Sequence, residues 1–444
     1  MLKKIALASL GCSKNLIDSE HMLAILTEAG YEIVSDEEEA DVIIVNTCTF
    51  IESAKTESIE CILELAQYKK EGGNCKALIV TGCLAQRYEE QVLTEIPEVD
   101  AVLGVNEYDK IAEIIKQLDS SERGILRCGN TYVNEDALPR LRLTPSYTAY
   151  LKIAEGCDNH CTYCVIPSIR GKYRSRKIED LVDEAKKMAD EGVRELVVIA
   201  QDTTRYGIDI YGEYRLPQLL RELCAIDGFD WIRVHYCYPE LMTDELIAVF
   251  AEEEKLCSYF DIPIQHSCDA VLKRMGRHTN KAQITEVFNK IRREVKDAVI
   301  RTTIIVGFPG ETEEQFEELC DFVRETRFDR LGVFTYSREE DTPAYNLDGQ
   351  IDEEEKERRR DVLMLIQSEI AEELTSEKVG TVVRVLVEER DEIIKSWYGR
   401  TYADSEEIDG KVFFKSSSDL KGGDFVDVLI EQSMEYDLFG RENV

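Results

Sequence analysis

An α/β fold is predicted: two successive units with parallel sheets, followed by a small all-β barrel. Three observations carry this. Residues 1–130 alternate short β-branched runs with helical apolar patterns. Residues 150–336 do so again in a longer series. Beyond residue 380 only short strands between Gly and Asp turns remain. The domain limits that follow are 1–130, 140–377 and 378–444, with the polar, Pro-containing stretch 130–146 as linker.

In the first unit the apolar run 4–9 ends at Gly11. A helical pattern starts near Ser19, with Met22, Leu23, Ile25 and Leu26 on its apolar face. Further strands are expected at 42–45, 76–81 and 101–103, with helices at 53–70, 87–95 and 108–118. In the second unit the candidate strands are 150–154, 195–200, 231–236, 259–264, 300–306 and 331–336. Six βα units suit a barrel or partial barrel of the TIM type, in which ligands sit at the carboxyl ends of the strands. Residues 353–377 are charged yet carry Leu363, Ile366, Ile370 and Leu374 at helical spacing, which predicts a long helix on the outside of this barrel. The runs 382–388, 398–403, 412–415 and 425–431 are the strands of the last unit.

Composition narrows the function. The chain has 444 residues, a formal net charge of −35 and a pI near 4.6. A polyanion repels phosphate backbones, so non-specific nucleic-acid binding is disfavoured and a basic partner is drawn in. Lys3 and Lys4, a short apolar run and Cys12 imitate a lipoprotein signal. The run 5–10 is, however, shorter than the roughly 7–15 residues of a signal core. No stretch approaches the ~20 apolar residues of a membrane helix. A cytoplasmic location is expected, in which the 14 cysteines stay reduced and available to metals.

Cys157, Cys161 and Cys164 follow the first strand of the second unit with the spacing C-x3-C-x2-C. Three thiolates in one loop can hold three irons of a 4Fe–4S cube and leave the fourth open to a substrate. A zinc site or clustered core cysteines are the alternatives. A pure electron carrier more usually brings four cysteines. Gly307, Phe308, Pro309 and Gly310 form a turn after the fifth strand, where glycine lets backbone approach a ligand closely, although such a turn is often only a turn. The first unit carries a second triad, because its first three strands each end at a cysteine: Cys12, Cys48 and Cys83. Parallel strands align their carboxyl ends on one sheet edge, so residues far apart in sequence converge there. Three thiolates at that edge could hold a second 4Fe–4S cluster. The alternative is that three small residues merely fill βα turns.

The barrel motif, with Tyr163 just before its last cysteine, resembles the radical S-adenosylmethionine superfamily. With the N-terminal triad in front and the β-domain behind, the whole chain resembles the methylthiotransferases. Their order is a three-cysteine domain, a radical SAM barrel and a small TRAM barrel. The segment Ser9-Leu10-Gly11-Cys12-Ser13-Lys14-Asn15-Leu16-Ile17-Asp18-Ser19-Glu20 is similar to the RimO branch of that family. So is Asn46-Thr47-Cys48-Thr49-Phe50-Ile51, with Lys55 after it. The tRNA-modifying branch typically has Gln-Met where Ser13 and Lys14 stand.

The resemblance implies two 4Fe–4S clusters, one on each triad. It implies S-adenosyl-L-methionine bound at the open iron of the barrel cluster and cleaved to a 5′-deoxyadenosyl radical. Contacts to that cofactor are implied at Tyr163, Gln201, Gly307, Phe308 and Pro309. The implied reaction is methylthiolation of the β-carbon of an aspartate in ribosomal protein S12. Sulfur would come from the second cluster, a methyl group from a second S-adenosylmethionine, and electrons from a donor such as flavodoxin or ferredoxin. A tRNA adenosine as substrate, or an iron–sulfur scaffold with no reaction of its own, are the rival readings. The last unit holds 9 Lys and Arg against 15 Asp and Glu, which suits a basic ribosomal protein better than tRNA. No specific nucleic acid is expected beyond the ribosome, and no general acid–base pair is evident. The basic run 170–176 is either an anion clamp or a solvated helix entrance. His235 and His266 end strands, as cavity lining or as structural residues. The other eight cysteines lack motif spacing and read as buried or incidental.

Overall fold

The computed structural model describes residues 2–70, 73–129 and 131–443. In the first unit six parallel strands lie in the order Glu32–Ile33, Lys4–Ser9, Val42–Thr47, Ala77–Gly82, Ala101–Leu103 and Ile125–Arg127. Val42–Thr47 and Ala77–Gly82 are buried at every residue, because helices cover both faces of the sheet and each face has its own apolar core. The two outermost strands were not foreseen; two or three paired residues leave no periodicity to read.

Two helices depart from expectation. The one expected near Ser19 begins at Ser13, directly after Cys12. Its first turns bury Lys14, Asn15, Asp18, Ser19 and Glu20, polar residues packed against protein instead of solvent, and this masks the apolar period. The helix expected at 87–95 is two, Cys83–Tyr88 and Glu90–Glu95, parted at Glu89 with φ 41°.

In the second unit six parallel strands follow chain order: Thr148–Lys152, Glu195–Ile199, Trp231–Val234, Leu256–Asp261, Val299–Val306 and Arg330–Thr335. This sheet does not close, so it is a partial barrel with helices packed on its outer face over the largest core. The helix Glu353–Ser376 buries Leu363, Ile366 and Ile370 in that core, and the Gln367 amide donates to the Phe328 carbonyl at 2.8 Å.

The last unit is a closed five-stranded barrel of Val382–Asp391, Ser396–Arg400, Val412–Lys415, Asp437–Glu442 and Phe425–Met434. The strand Asp437–Glu442 closes it and was not foreseen, since Gly440 and the charged residues around it hide the alternation. The segment 401–409 leaves this barrel and docks into the partial barrel. Arg400 reaches Glu195 at 2.5 Å, Tyr259 donates to Asp409 at 2.6 Å, and Ser405 Oγ lies 3.1 Å from His235 Nε2. Burial alone would raise the Glu195 carboxyl, but Arg400 and Arg233 outweigh it and hold the pKa at about 2.

The stretch 131–146 is a strap, not a free tether; Asn130 lies outside the described residues. Arg140 donates to Glu20 at 2.8 Å and to Glu184 at 2.7 Å, and Glu135 pairs with Lys152 at 2.7 Å. The N-terminal sheet is thereby bound to the partial barrel. No described helix is long and apolar enough to cross a membrane.

Candidate functional site

The barrel triad is built by one loop. Gly156 opens it with φ 82°, and a Cβ there would lie 2.2 Å from the Lys172 carbonyl oxygen. Asn159 donates to Asp202 at 2.8 Å, and Asp158 accepts from the Tyr173 backbone N–H at 3.2 Å. Thr162 is clamped by the Met275 and Arg274 carbonyls. Cys157 and Cys161 are buried and Cys164 is half-buried. Burial pushes the Cys157 thiol up to about 11 and Cys164 further up, so a cation is needed to make them thiolates. The Arg277 guanidinium approaches Cys161 Sγ at 4.0 Å and stacks on Tyr238 at 4.3 Å.

The other residues read from the barrel motif surround this loop. Tyr163 packs on the apolar cluster that contains Phe308, Met275 and Tyr336. Phe308 is buried edge-on against Tyr336, with centroids 5.3 Å apart. Gly307 has φ 73°, and its close approach is to the Lys356 side chain; Pro309 follows it in the turn. Gln201 donates to Glu155, while its own Oε1 is buried without a partner. His266 Nδ1 accepts from the Cys268 N–H at 2.9 Å, and burial lowers its pKa to about 3, which keeps it neutral. His235 holds Ser405 and is neutral for the same reason, which makes it structural, whereas His266 Nε2 is buried without a hydrogen-bond partner among the described residues.

The N-terminal triad is built by strand register. Ser9 pairs with Asn46, and Asn46 with Thr81, which brings the ends of three neighbouring strands level. Gly11 and Gly82 precede Cys12 and Cys83 with φ of 90° and 92°. A Cβ on Gly11 would meet Cys48 Cβ at 2.7 Å, and one on Gly82 would meet the Thr47 carbonyl oxygen at 2.5 Å. The turns are fixed by side chains. Asn15 donates to the Leu10 and Thr47 carbonyls, Asn46 to the Asn15 carbonyl, and Ser58 closes on the Cys48 backbone. Burial pushes the Cys83 thiol up to about 12, and Cys48 is raised as well. All 14 cysteines are free of disulfides.

A short helix joins the two triads. Ile166–Arg170 begins two residues after Cys164, and its Ile169, with Val165, packs against Cys83. Its last residue, Arg170, is buried. Nη2 lies 3.6 Å from Cys83 Sγ, 2.5 Å from Asn15 Oδ1 and 3.0 Å from Asp18 Oδ2, and Nη1 donates to Glu155 at 2.8 Å. Lys152, also buried, is shared by Asp18, Glu135 and Glu155. Arg170 is thus a buried link between the two cysteine sets. Arg174 lies over the Tyr132 ring at 3.5 Å, and Arg176 pairs with Asp136 and Glu184. The sequence showed the basic run but not these partners, which lie in the strap, the first helix and the barrel. A cavity of about 480 Å³ lies behind this network, lined by Tyr108, Tyr132, Glu135, Glu155 and Arg174, and touches none of the six cysteines.

Comparison with known proteins matches three parts of the chain. Residues 4–104 match the uncharacterized protein family UPF0004, residues 151–323 the radical SAM superfamily, and residues 379–442 the TRAM domain. The ribosomal protein uS12 methylthiotransferase RimO of Clostridioides difficile (strain 630) is 58% identical, covering 98% of each chain. That of Lachnoclostridium phytofermentans is 53% identical over 98% of this chain and 99% of its own. Among solved structures, the radical S-adenosylmethionine methyltransferase TsrM from Kitasatospora setae superposes with a TM-score of 0.57 at 14% identity, over 86% of this chain and 79% of that one, which shows a shared fold.

Proposed function

The chain belongs to the RimO family of ribosomal protein uS12 methylthiotransferases, and from that premise we propose that it methylthiolates an aspartate of uS12 at its β-carbon. The observation that carries the methylthiotransferase part of the reading is the pair of cysteine triads, each at strand ends and joined through Arg170. A tRNA-directed enzyme would share the triads. The acidic C-terminal unit and the residues after Cys12 favour a basic protein substrate.

The residues present fit two clusters. Each triad is a set of free cysteines with a guanidinium nearby, and burial raises the Cys48, Cys83, Cys157 and Cys164 thiols so that they stay protonated unless a cation coordinates them. Cys157, Cys161 and Cys164 would hold one cluster, and Cys12, Cys48 and Cys83 the other. Bound there, the clusters would supply the electron that cleaves S-adenosylmethionine and the sulfur that is inserted. The chain's own residues position and seal. Asn159 and Asp202 fix the barrel loop. The orphaned Gln201 Oε1 is an acceptor ready for S-adenosylmethionine. Ile17 packs on Val197 and Ile199, so the first helix excludes water beside the barrel strands. Flavodoxin or ferredoxin is the proposed electron donor and the cytoplasm the proposed compartment.

Mass spectrometry of a deletion strain tests the proposal. Loss of the methylthio group from the uS12 aspartate, with tRNA methylthio-adenosine unchanged, is expected. An unmodified tRNA beside an intact uS12 would transfer the assignment to tRNA.

A further inference from the structure

Eight lysines and arginines of the described residues are less than one-tenth exposed. Six of them, Lys152, Arg170, Arg233, Lys356, Arg359 and Arg400, sit 3.0 Å or less from a carboxylate. Arg277 lacks a carboxylate but donates to the Pro263 carbonyl at 2.9 Å and faces Cys161. Lys14 has neither. It is 6% exposed, has no hydrogen-bond acceptor or carboxylate partner among the described residues, and its ammonium stands 3.2 Å from the centroid of the Tyr236 ring.

Burial covers the Lys14 stem and sets its ammonium on a π face, an attraction that leaves the ammonium's donors without a protein acceptor among the described residues. Acids are not scarce, since the chain carries 89 of them against 54 bases. Lys14 is therefore a cation held ready where no carboxylate of the described residues pairs with it. Its position gives that readiness a use. Lys14 is two residues past Cys12, at the start of the helix Ser13–Glu28. Tyr236 lies just beyond the barrel strand Trp231–Val234, in a left-handed backbone conformation with φ 61°. Two residues further on, Tyr238 seats Arg277, which faces Cys161. The side chain thus crosses from the N-terminal triad to the segment that leads to the barrel triad.

We propose that Lys14 binds the side-chain carboxylate of the aspartate to be modified, with the Tyr236 ring as its seat, and so sets the specificity for an acidic residue. This rests on the protein-substrate reading above. The bound carboxylate would give the ammonium the acceptor it lacks, placing the adjacent β-carbon between the two triads. A neutral amide at the same position offers no such charge pair.

The test uses the full chain, reconstituted anaerobically, and full-length uS12 carrying either its target aspartate or asparagine in its place. Affinity is read by titration calorimetry. Lys14→Gln is expected to weaken binding of the aspartate form about thirtyfold while leaving the asparagine form unchanged. Lys14→Arg, which keeps the charge, is expected to retain most of the preference. Iron content equal to wild type shows that the triads are intact in each variant. Equal weakening of both substrate forms, or no change in either, overturns the role of Lys14. Failure of the unmutated protein to bind either form overturns instead the protein-substrate reading.

Discussion

The two cysteine triads are built in opposite ways. The barrel triad lies within eight consecutive residues, and its loop is braced by neighbours of the same unit, Asp202, Tyr173 and Met275. The N-terminal triad is spread over three strands, and its place against the barrel depends on buried charges. Each has an arginine beside a cysteine. Arg277 is surrounded by phenols and a carbonyl, whereas Arg170 is caged by Asp18 and Glu155. A local loop needs little beyond its own turns. A site assembled across two units needs partners that hold the units in register, and buried ion pairs supply that registry although they contribute little net stability.

The largest expected effect separates the chemistry of the triads. Replacing Cys157, Cys161 and Cys164 with Ala is expected to halve the iron from about eight per chain and abolish 5′-deoxyadenosine release. Replacing Cys12, Cys48 and Cys83 is expected to halve the iron too, yet spare 5′-deoxyadenosine and stop methylthiolation. Chromatography of the nucleoside product with mass spectrometry of uS12 reads both. Loss of 5′-deoxyadenosine in the second variant would erase the distinction.

A smaller effect sharpens the contrast between the arginines. Arg170→Gln leaves Asp18 and Glu155 with Lys152 as their only cation among the partners described, an expected loss of about 3–5 kcal/mol. Arg277→Gln frees no carboxylate and is expected to lose about 1–2 kcal/mol. Urea unfolding of the two variants side by side measures the difference; equal losses would mean that the carboxylate cage does not matter.

Acid is expected to act on the strap that holds the N-terminal unit. Burial alone would raise Glu184, but Arg176 and Arg140 outweigh it and hold it at about 2. The folded pKa lies below the ordinary 4.5, so this contribution is complete above pH 4.5 and is lost as pH falls through about 2. Glu184→Gln should therefore cost about 2 kcal/mol at pH 7 and nothing extra in strong acid. Proteolysis within 131–146 is expected to be faster in the variant at pH 7 and equal to wild type near pH 2. A difference that persists in acid would assign the strap to packing instead of charge.

The sequence by itself determined what neighbours encode. The C-x3-C-x2-C loop, the six βα units, the glycines before Cys12 and Cys83 and the parallel sheet that aligns three cysteines all follow from local pattern and from strand geometry. The tertiary structure alone decided which residues the triads answer to. It started the first helix at Ser13, because the polar faces of Lys14, Asn15 and Asp18 are buried against another unit. It turned His235 into a support for Ser405, and it joined Arg170 to Cys83 across 87 positions of sequence. Periodicity reports a residue's environment only when that environment is core or water. A buried charge is legible only once its partner is in place, and docking decides the partner.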